Sequence, residues 1–370
     1  MSELVNLIRE KIAAHNNSLP FIDFMRAALY AKGLGYYVGG KPKLGAEGDF
    51  VTAPEISSLF SRALAIQCQQ ILQHLPGSDI LEFGAGSGMM ASDILLRLSE
   101  LNCLPKHYYI LEPSPDLQAY QYATLAKKVP HFLSKIEWLS KMPENFSGVI
   151  LANEVLDAFP ITLFKWSNHK FYERCVSYQD NKFVWQDLEV TDDKIFSQLP
   201  RENFSNDYIS EINLSLHPWL ATISQNIDKA IILIIDYGFP RLEYYHPQRH
   251  TGTLMCHYKH QAHTDPLINI GWQDITTHVD FTAVAEAAVA SNLTVLGYTN
   301  QANFLFNCGI LTDYETLLPL DELGKLQWQK QLQKLIEPHE MGELFKVMAL
   351  GKGFEISLES FAVGNRLHTL

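Results

Sequence analysis

The stretch Ile80–Met90, ILEFGAGSGMM, constrains the fold of this chain more than any other. A short apolar run leads into glycines at 84, 86 and 88, and a helical pattern follows. That order reads as strand, tight turn, helix. Glycines reach backbone conformations that other residues avoid. They let amides approach a nucleotide-like ligand, and the helix N-terminus adds the positive end of its dipole. A second apolar run, YYILEPS over Tyr108–Ser114, ends in Glu112. A carboxylate at such a strand tip can bind ribose hydroxyls.

The glycine spacing separates two cofactors. A dinucleotide fingerprint, G-x-G-x-x-G, needs its third glycine at position 89, which is Met89 here. This disfavours an NAD-dependent oxidoreductase. The chain reads G-x-G-x-G, preceded by Glu82. This resembles the first motif of Rossmann-like methyltransferases, which bind S-adenosylmethionine. That cofactor has no pyrophosphate, so it does not need the third glycine. Glu82 is expected to orient the glycine loop or the methionine end of the cofactor.

Apolar strands alternate with helices along the chain. DILEFG precedes a helix over Ser87–Leu101, and HYYILEP precedes one over 116–126. IEWLS, GVILANEV and KAIILIIDYG are further strands. DFTAVAEAAVASN reads as a helix, with TVLGYTN and FKVMALGKG as strands after it. Buried strands alternating with helices predict an α/β fold with a Rossmann-like, class I methyltransferase sheet. Two insertions are expected, at about 164–229 and 239–275. The first reads as a β-hairpin, with turns at Asn168-His169 and Asp180-Asn181, followed by a helical stretch at 206–227; the second reads as a polar loop. Residues 1–77 are expected to form an N-terminal helical segment closing over the cofactor site, and 78–370 the core. The N-terminal segment carries two helices, LVNLIREKIAAH and FIDFMRAALYA, and a loop, GGKPKLGAEGDF. Thr52-Ala-Pro54-Glu55 then has the pattern of a capping box before a helix running to about Gln73. Thr52 and Pro54 are therefore candidates for the cofactor pocket.

Composition narrows the function. Hydrophobic residues make up 47% and charged residues 19% of the 370 residues, as in globular proteins. The net charge of −12 argues against nonspecific nucleic-acid binding, which needs a basic surface. It suits a cationic substrate better. The five cysteines are widely spaced, with no C-x-x-C, and read as reduced thiols. The N-terminus has no long apolar core and no run reaches membrane-span length. No membrane insertion is expected, and a cytoplasmic location is. A homodimer is compatible with the sequence.

Candidate chemistry clusters at strand ends. Asn153-Glu154-Val-Leu-Asp157 follows the strand GVILA. Glu154 and Asp157 are three residues apart and could share one face of a helical turn. They are the first candidates for gripping a cationic substrate, with Asn153 beside the cofactor. Asp236, ending IIDYG, and Asp280, in THVDF before a helix, are the second pair. Each could also be a simple cap or turn residue. His260 and His263 have a spacing found in metal sites, but they fall in a polar loop, where a substrate-facing role reads better than a metal.

These residues form a recognisable set. GDFVTAPEIS (Gly48–Ser57), LEFGAGSG, LEPSPDLQAYQ, LANEVLDAFP, IIDYG, DITTHVDF and MGELFKVMALG occur in this order along nearly the whole chain. The sequence resembles the MidA family of S-adenosylmethionine-dependent methyltransferases. Ala85 and Ser87 stand where family members often carry Pro and Arg, and an acidic residue found in some members is His278 here. The resemblance implies a protein arginine methyltransferase that forms symmetric dimethylarginine and assists assembly of the respiratory NADH dehydrogenase, with a subunit of that complex as partner. A noncatalytic assembly chaperone that keeps the cofactor to stabilise its fold is the alternative.

Overall fold

The structure is a computed structural model, and it describes residues 3–39, 51–192 and 194–370. The chain forms two compact units. One comprises 51–156, 219–238 and 281–370; the other comprises 1–50, 157–218 and 239–280. The division differs from a cut at residue 77. Residues 51–77 belong with the glycine turn, and the N-terminal helices group with both insertions.

The first unit is built on one mixed sheet. Its strands run, from edge to edge, Ile136–Leu139, Tyr108–Leu111, Asp79–Phe83, Phe146–Asn153, Ile227–Phe239, Phe345–Lys352 and Thr294–Asn300. Neighbouring strands are parallel from Ile136–Leu139 to Ile227–Phe239. Phe345–Lys352 pairs antiparallel with both of its neighbours. In chain order this is 3-2-1-4-5-7-6, a doubly wound sheet with a late strand slotted in the opposite direction. Val149–Ala152 and Ala230–Ile235 are at most 1% exposed. Strands buried on both faces belong at the centre of a parallel sheet, and these continuous apolar runs sit there. Strand order reverses at Asp79–Phe83, between the Tyr108 and Phe146 strands. Ligands bind beyond the carboxyl ends of strands at such a switch point.

Helices Ser58–His74 and Met89–Glu100 pack together against this sheet. The Arg62 guanidinium joins them, making paired bonds of 3.0 and 2.7 Å to Glu100. The expected capping box at Thr52 is not formed: Thr52 makes no side-chain cap bond. A short helix, Ala53–Ile56, ends at Ser57, which caps the longer helix by accepting the Leu59 amide at 3.4 Å. The segment 40–50, with Gly48–Phe50 of the expected closing loop, lies outside the described residues.

The second unit holds helices Glu3–Ala14 and Phe21–Tyr30 and two small antiparallel sheets. Lys170–Gln179 pairs with Thr162–Ser167 and Lys182–Glu189, the expected hairpin pattern. The stretch read as helical at 206–227 begins instead with a strand, Tyr208–Ile212, and becomes helical at Leu216–Asn226. Residues 239–275 are not a plain loop. They carry a short helix, Arg241–Tyr244, and strands Met255–Tyr258, Gln261–His263 and Asp274–Thr276. Strands this short carry too little alternation to be read from sequence. No described helix is long and apolar enough to cross a membrane.

Candidate functional site

The glycine turn leaves the carboxyl end of Asp79–Phe83 at the switch point. Gly84, Gly86 and Gly88 have φ of +59°, +54° and +83°. In this left-handed region a side chain would be strained. Gly84 is exposed, and a Cβ there would meet only Val155 Cγ2, at 3.9 Å. Among the described residues, space beside the backbone is open at Gly84, whereas Gly88 packs against Gln121 and Leu125. Gly88 opens the helix Met89–Glu100, so the positive helix end lies at the turn.

Glu112 is nearly buried and held from two sides. Its Oε1 accepts the Ser114 amide at 2.9 Å, and its Oε2 accepts Gln121 Nε2 at 3.2 Å. A ribose hydroxyl is a donor that a carboxylate at this strand tip can accept. Gln121, fully buried, also donates to Gly86 O at 3.1 Å and accepts Trp138 Nε1 at 2.9 Å. It ties the glycine turn, the acidic strand tip and the Trp138 strand together. The sequence reading missed Gln121. The available signal was its place on the helix that Ser114 caps, with 114, 118 and 121 on one face.

Glu82 is buried beneath the turn, where Tyr108 donates its hydroxyl to Oε2 at 2.6 Å. Burial pushes its pKa up to about 7, with the Tyr108 bond opposing the shift. A carboxyl held this way supports the base of the loop.

At the neighbouring strand tip, Asn153 donates to Glu154 Oε1 at 3.2 Å, and the Ala53 amide donates to the same oxygen at 3.4 Å. Glu154 thus ties the start of Ala53–Ile56, with Thr52 and Pro54, to this tip. The Asn153 Oδ1 is buried without a hydrogen-bond partner among the described residues. A buried acceptor of this kind suits a ligand donor such as an ammonium or amide group. Glu55 accepts a bond from Ser87 within the glycine turn. Glu154 and Asp157 do not share a helical turn. Glu154 has φ +51°, and 154–157 form bends and a turn.

Asp236 is fully buried and its oxygens accept backbone amides, from Leu156 at 3.0 Å and Tyr237 at 2.9 Å. It holds the backbone after the strand tip and is a positioning residue. In the other unit, Asp280 Oδ2 accepts Arg241 Nε at 3.3 Å in an ion pair. Asp157 is 6% exposed, and its carbonyl accepts the Thr277 amide at 3.0 Å. His260 lies at the turn between strands Met255–Tyr258 and Gln261–His263, with φ +61°. No group of three or more His, Cys, Asp or Glu among the described residues is placed to hold a metal ion.

The glycine turn at the switch point, Glu112 at the adjacent strand tip and the buried Asn153 oxygen fit an adenosyl amino acid. The comparisons agree. Residues 63–299 match the model of a family of S-adenosyl-L-methionine-dependent methyltransferases. A solved COG1565 superfamily member from Burkholderia thailandensis, bound to S-adenosyl-homocysteine, is 40% identical with a TM-score of 0.96, covering 99% of this chain and 96% of that one. The mouse (Mus musculus) mitochondrial protein arginine methyltransferase NDUFAF7 is 31% identical, covering 89% of this chain and 80% of its own length. Its Drosophila melanogaster homologue is 26% identical over 95% and 85%. Those relatives are named mitochondrial, which overturns the expected cytoplasmic location. The expectation rested on reduced cysteines, on an N-terminus without a long apolar core and on the lack of a membrane-length run, and thiols stay reduced in more than one compartment. By the family model over 63–299 and the similarity along most of its length, the chain belongs to the MidA family of S-adenosyl-L-methionine-dependent methyltransferases.

Proposed function

We propose that this enzyme is a protein arginine N-methyltransferase that forms symmetric dimethylarginine on a partner protein. The partner we propose is a subunit of the respiratory NADH dehydrogenase, methylated in support of complex assembly. The observation that carries the reading is the similarity, over most of both chains, to proteins named protein arginine methyltransferases. The acidic balance and the carboxylates after the fourth strand in chain order support it.

Gly84, Gly86, Gly88, Glu112 and Asn153 would hold the cofactor, with Thr52 and Pro54 bordering it. Bound S-adenosylmethionine supplies an activated methyl group on a positively charged sulfur. The protein's work is then to position the acceptor and exclude water. Arginine poses a difficulty, because a guanidinium with a pKa above about 12 is a poor nucleophile. Asp157 and Glu154 would grip it through charge-assisted N–H bonds, orient one nitrogen, and draw positive charge onto the others. Asp236 maintains the backbone that presents Leu156 and its neighbours.

The test is mass spectrometry of NADH dehydrogenase subunits incubated with the enzyme and S-adenosylmethionine. Symmetric dimethylarginine at one site is expected. Methylation confined to another residue type, or none with cofactor bound, would refute the reading.

A further inference from the structure

The second unit carries a polar cluster not used above. Strand Asp274–Thr276 pairs with Met255–Tyr258, with His257 opposite Asp274, Cys256 opposite Ile275 and Met255 opposite Thr276. Cys256 and Ile275 enter the apolar core formed with the N-terminal helices. Side chains alternate along a strand, so Asp274 and Thr276 share the other face. Asp274 Oδ1 accepts the Tyr37 hydroxyl at 2.8 Å. Thr276 Oγ1 is buried with no hydrogen-bond partner among the described residues. Burying a hydroxyl without a partner is costly, and such a group needs an explanation.

Aromatic rings and a second carboxylate complete the cluster. Tyr30 and Tyr37 stack 5.4 Å apart at 25°. Tyr30 donates to Ala158 O at 2.9 Å, next to Asp157 in the chain. Burial, then the charge of Asp274, with Asp157 a smaller contributor, holds the Tyr37 phenol well above its ordinary pKa. The phenol therefore stays a neutral donor between two acids.

We propose that Asp157, Asp274, Thr276 and the stacked Tyr30–Tyr37 pair form a recognition pocket for the guanidinium of the substrate arginine. The assignment rests on the arginine reading above. A guanidinium is planar, offers five donors and stacks on aromatic faces. Two carboxylates and an unengaged hydroxyl supply acceptors, and the parallel tyrosines supply a flat wall. An ammonium is a compact point charge that uses neither the plane nor the fork.

The test is binding to the full-length protein, by titration NMR in the presence of S-adenosylhomocysteine. The probes are N-acetyl-arginine methylamide, its neutral citrulline isostere and the lysine counterpart. The arginine probe is expected to bind about tenfold or more tightly than either. Asp274→Asn should weaken it about tenfold, with S-adenosylhomocysteine affinity unchanged. Thr276→Val separates recognition from structure. Because Oγ1 has no partner, a purely structural hydroxyl would leave arginine binding intact and stability equal or higher, whereas the proposal requires about threefold weaker binding at that same stability. Equal affinity for arginine and citrulline, or for arginine and lysine, would overturn the proposal. So would wild-type affinity in both variants. Methylarginine on the partner together with unaltered variants would overturn the pocket alone. The expected binding without any methylarginine would overturn the arginine methyltransferase reading alone.

Discussion

Replacing Gln121 with Met tests the cofactor site through a residue that makes no expected contact with chemistry. Methionine keeps the length and volume of the side chain, so the packing loss is small. Three hydrogen bonds disappear: to Gly86 O, to Glu112 Oε2 and from Trp138 Nε1. The two neutral bonds contribute about 1 kcal/mol each and the bond to the carboxylate about 2 kcal/mol. Trp138 is half-buried, so water replaces part of its loss. The expected destabilisation is therefore about 3 kcal/mol. The share belonging to Glu112 also loosens the carboxylate meant for the ribose. About 2 kcal/mol there weakens S-adenosylhomocysteine binding roughly thirtyfold. Calorimetric titration of the variant, alongside urea unfolding, reads both quantities. Wild-type affinity in a variant of unchanged stability would refute the role assigned to this network.

Three further outcomes are expected. Gly86→Val forces a branched side chain into a left-handed position at the turn, φ +54°, and should abolish S-adenosylmethionine binding in calorimetry while circular dichroism shows a folded protein. Glu82 has its folded-state pKa raised to about 7, so the folded state holds its proton more tightly than the unfolded one. The protonated form's advantage is complete below the unfolded value and is lost as pH rises toward 7; Glu82→Gln should remove about 3 kcal/mol of falling stability between pH 4.5 and 7, read from urea unfolding across that range. Asp236→Asn leaves one acceptor oxygen for the amides of Leu156 and Tyr237, and should cost about 1–3 kcal/mol in the same unfolding assay.

The parts legible in the sequence are those decided locally. The apolar runs at 149–152 and 230–235 identify central strands because burial on both faces demands them. The glycines at 84, 86 and 88 identify the turn because left-handed φ values favour glycine. The parts that misled depend on partners distant in the chain. The capping pattern at Thr52 is not realised: the Glu55 amide bonds the Thr52 carbonyl, and the Glu55 carboxylate is engaged by Ser87, 32 residues on. Asp236 was legible as a carboxylate near a strand end, but not its acceptance of backbone amides, one of them 80 residues earlier. Asp280 is likewise paired with Arg241, 39 residues away. Gln121 carries no motif of its own; its importance comes from three elements meeting at one side chain.

The central claim is that the glycine turn binds cofactor while the acids after Asn153 handle the substrate, so the two functions can be separated. The direct measurement is single-turnover methylation of the partner protein by Asp157→Asn and Glu154→Gln, beside S-adenosylmethionine affinity for each. The amides keep the shape and lose the charge. Asp157→Asn is expected to slow methyl transfer about thirtyfold, corresponding to about 2 kcal/mol for a charge-assisted pair, with cofactor affinity nearly unchanged. Unchanged turnover in both variants would remove these carboxylates from the mechanism and contradict the claim.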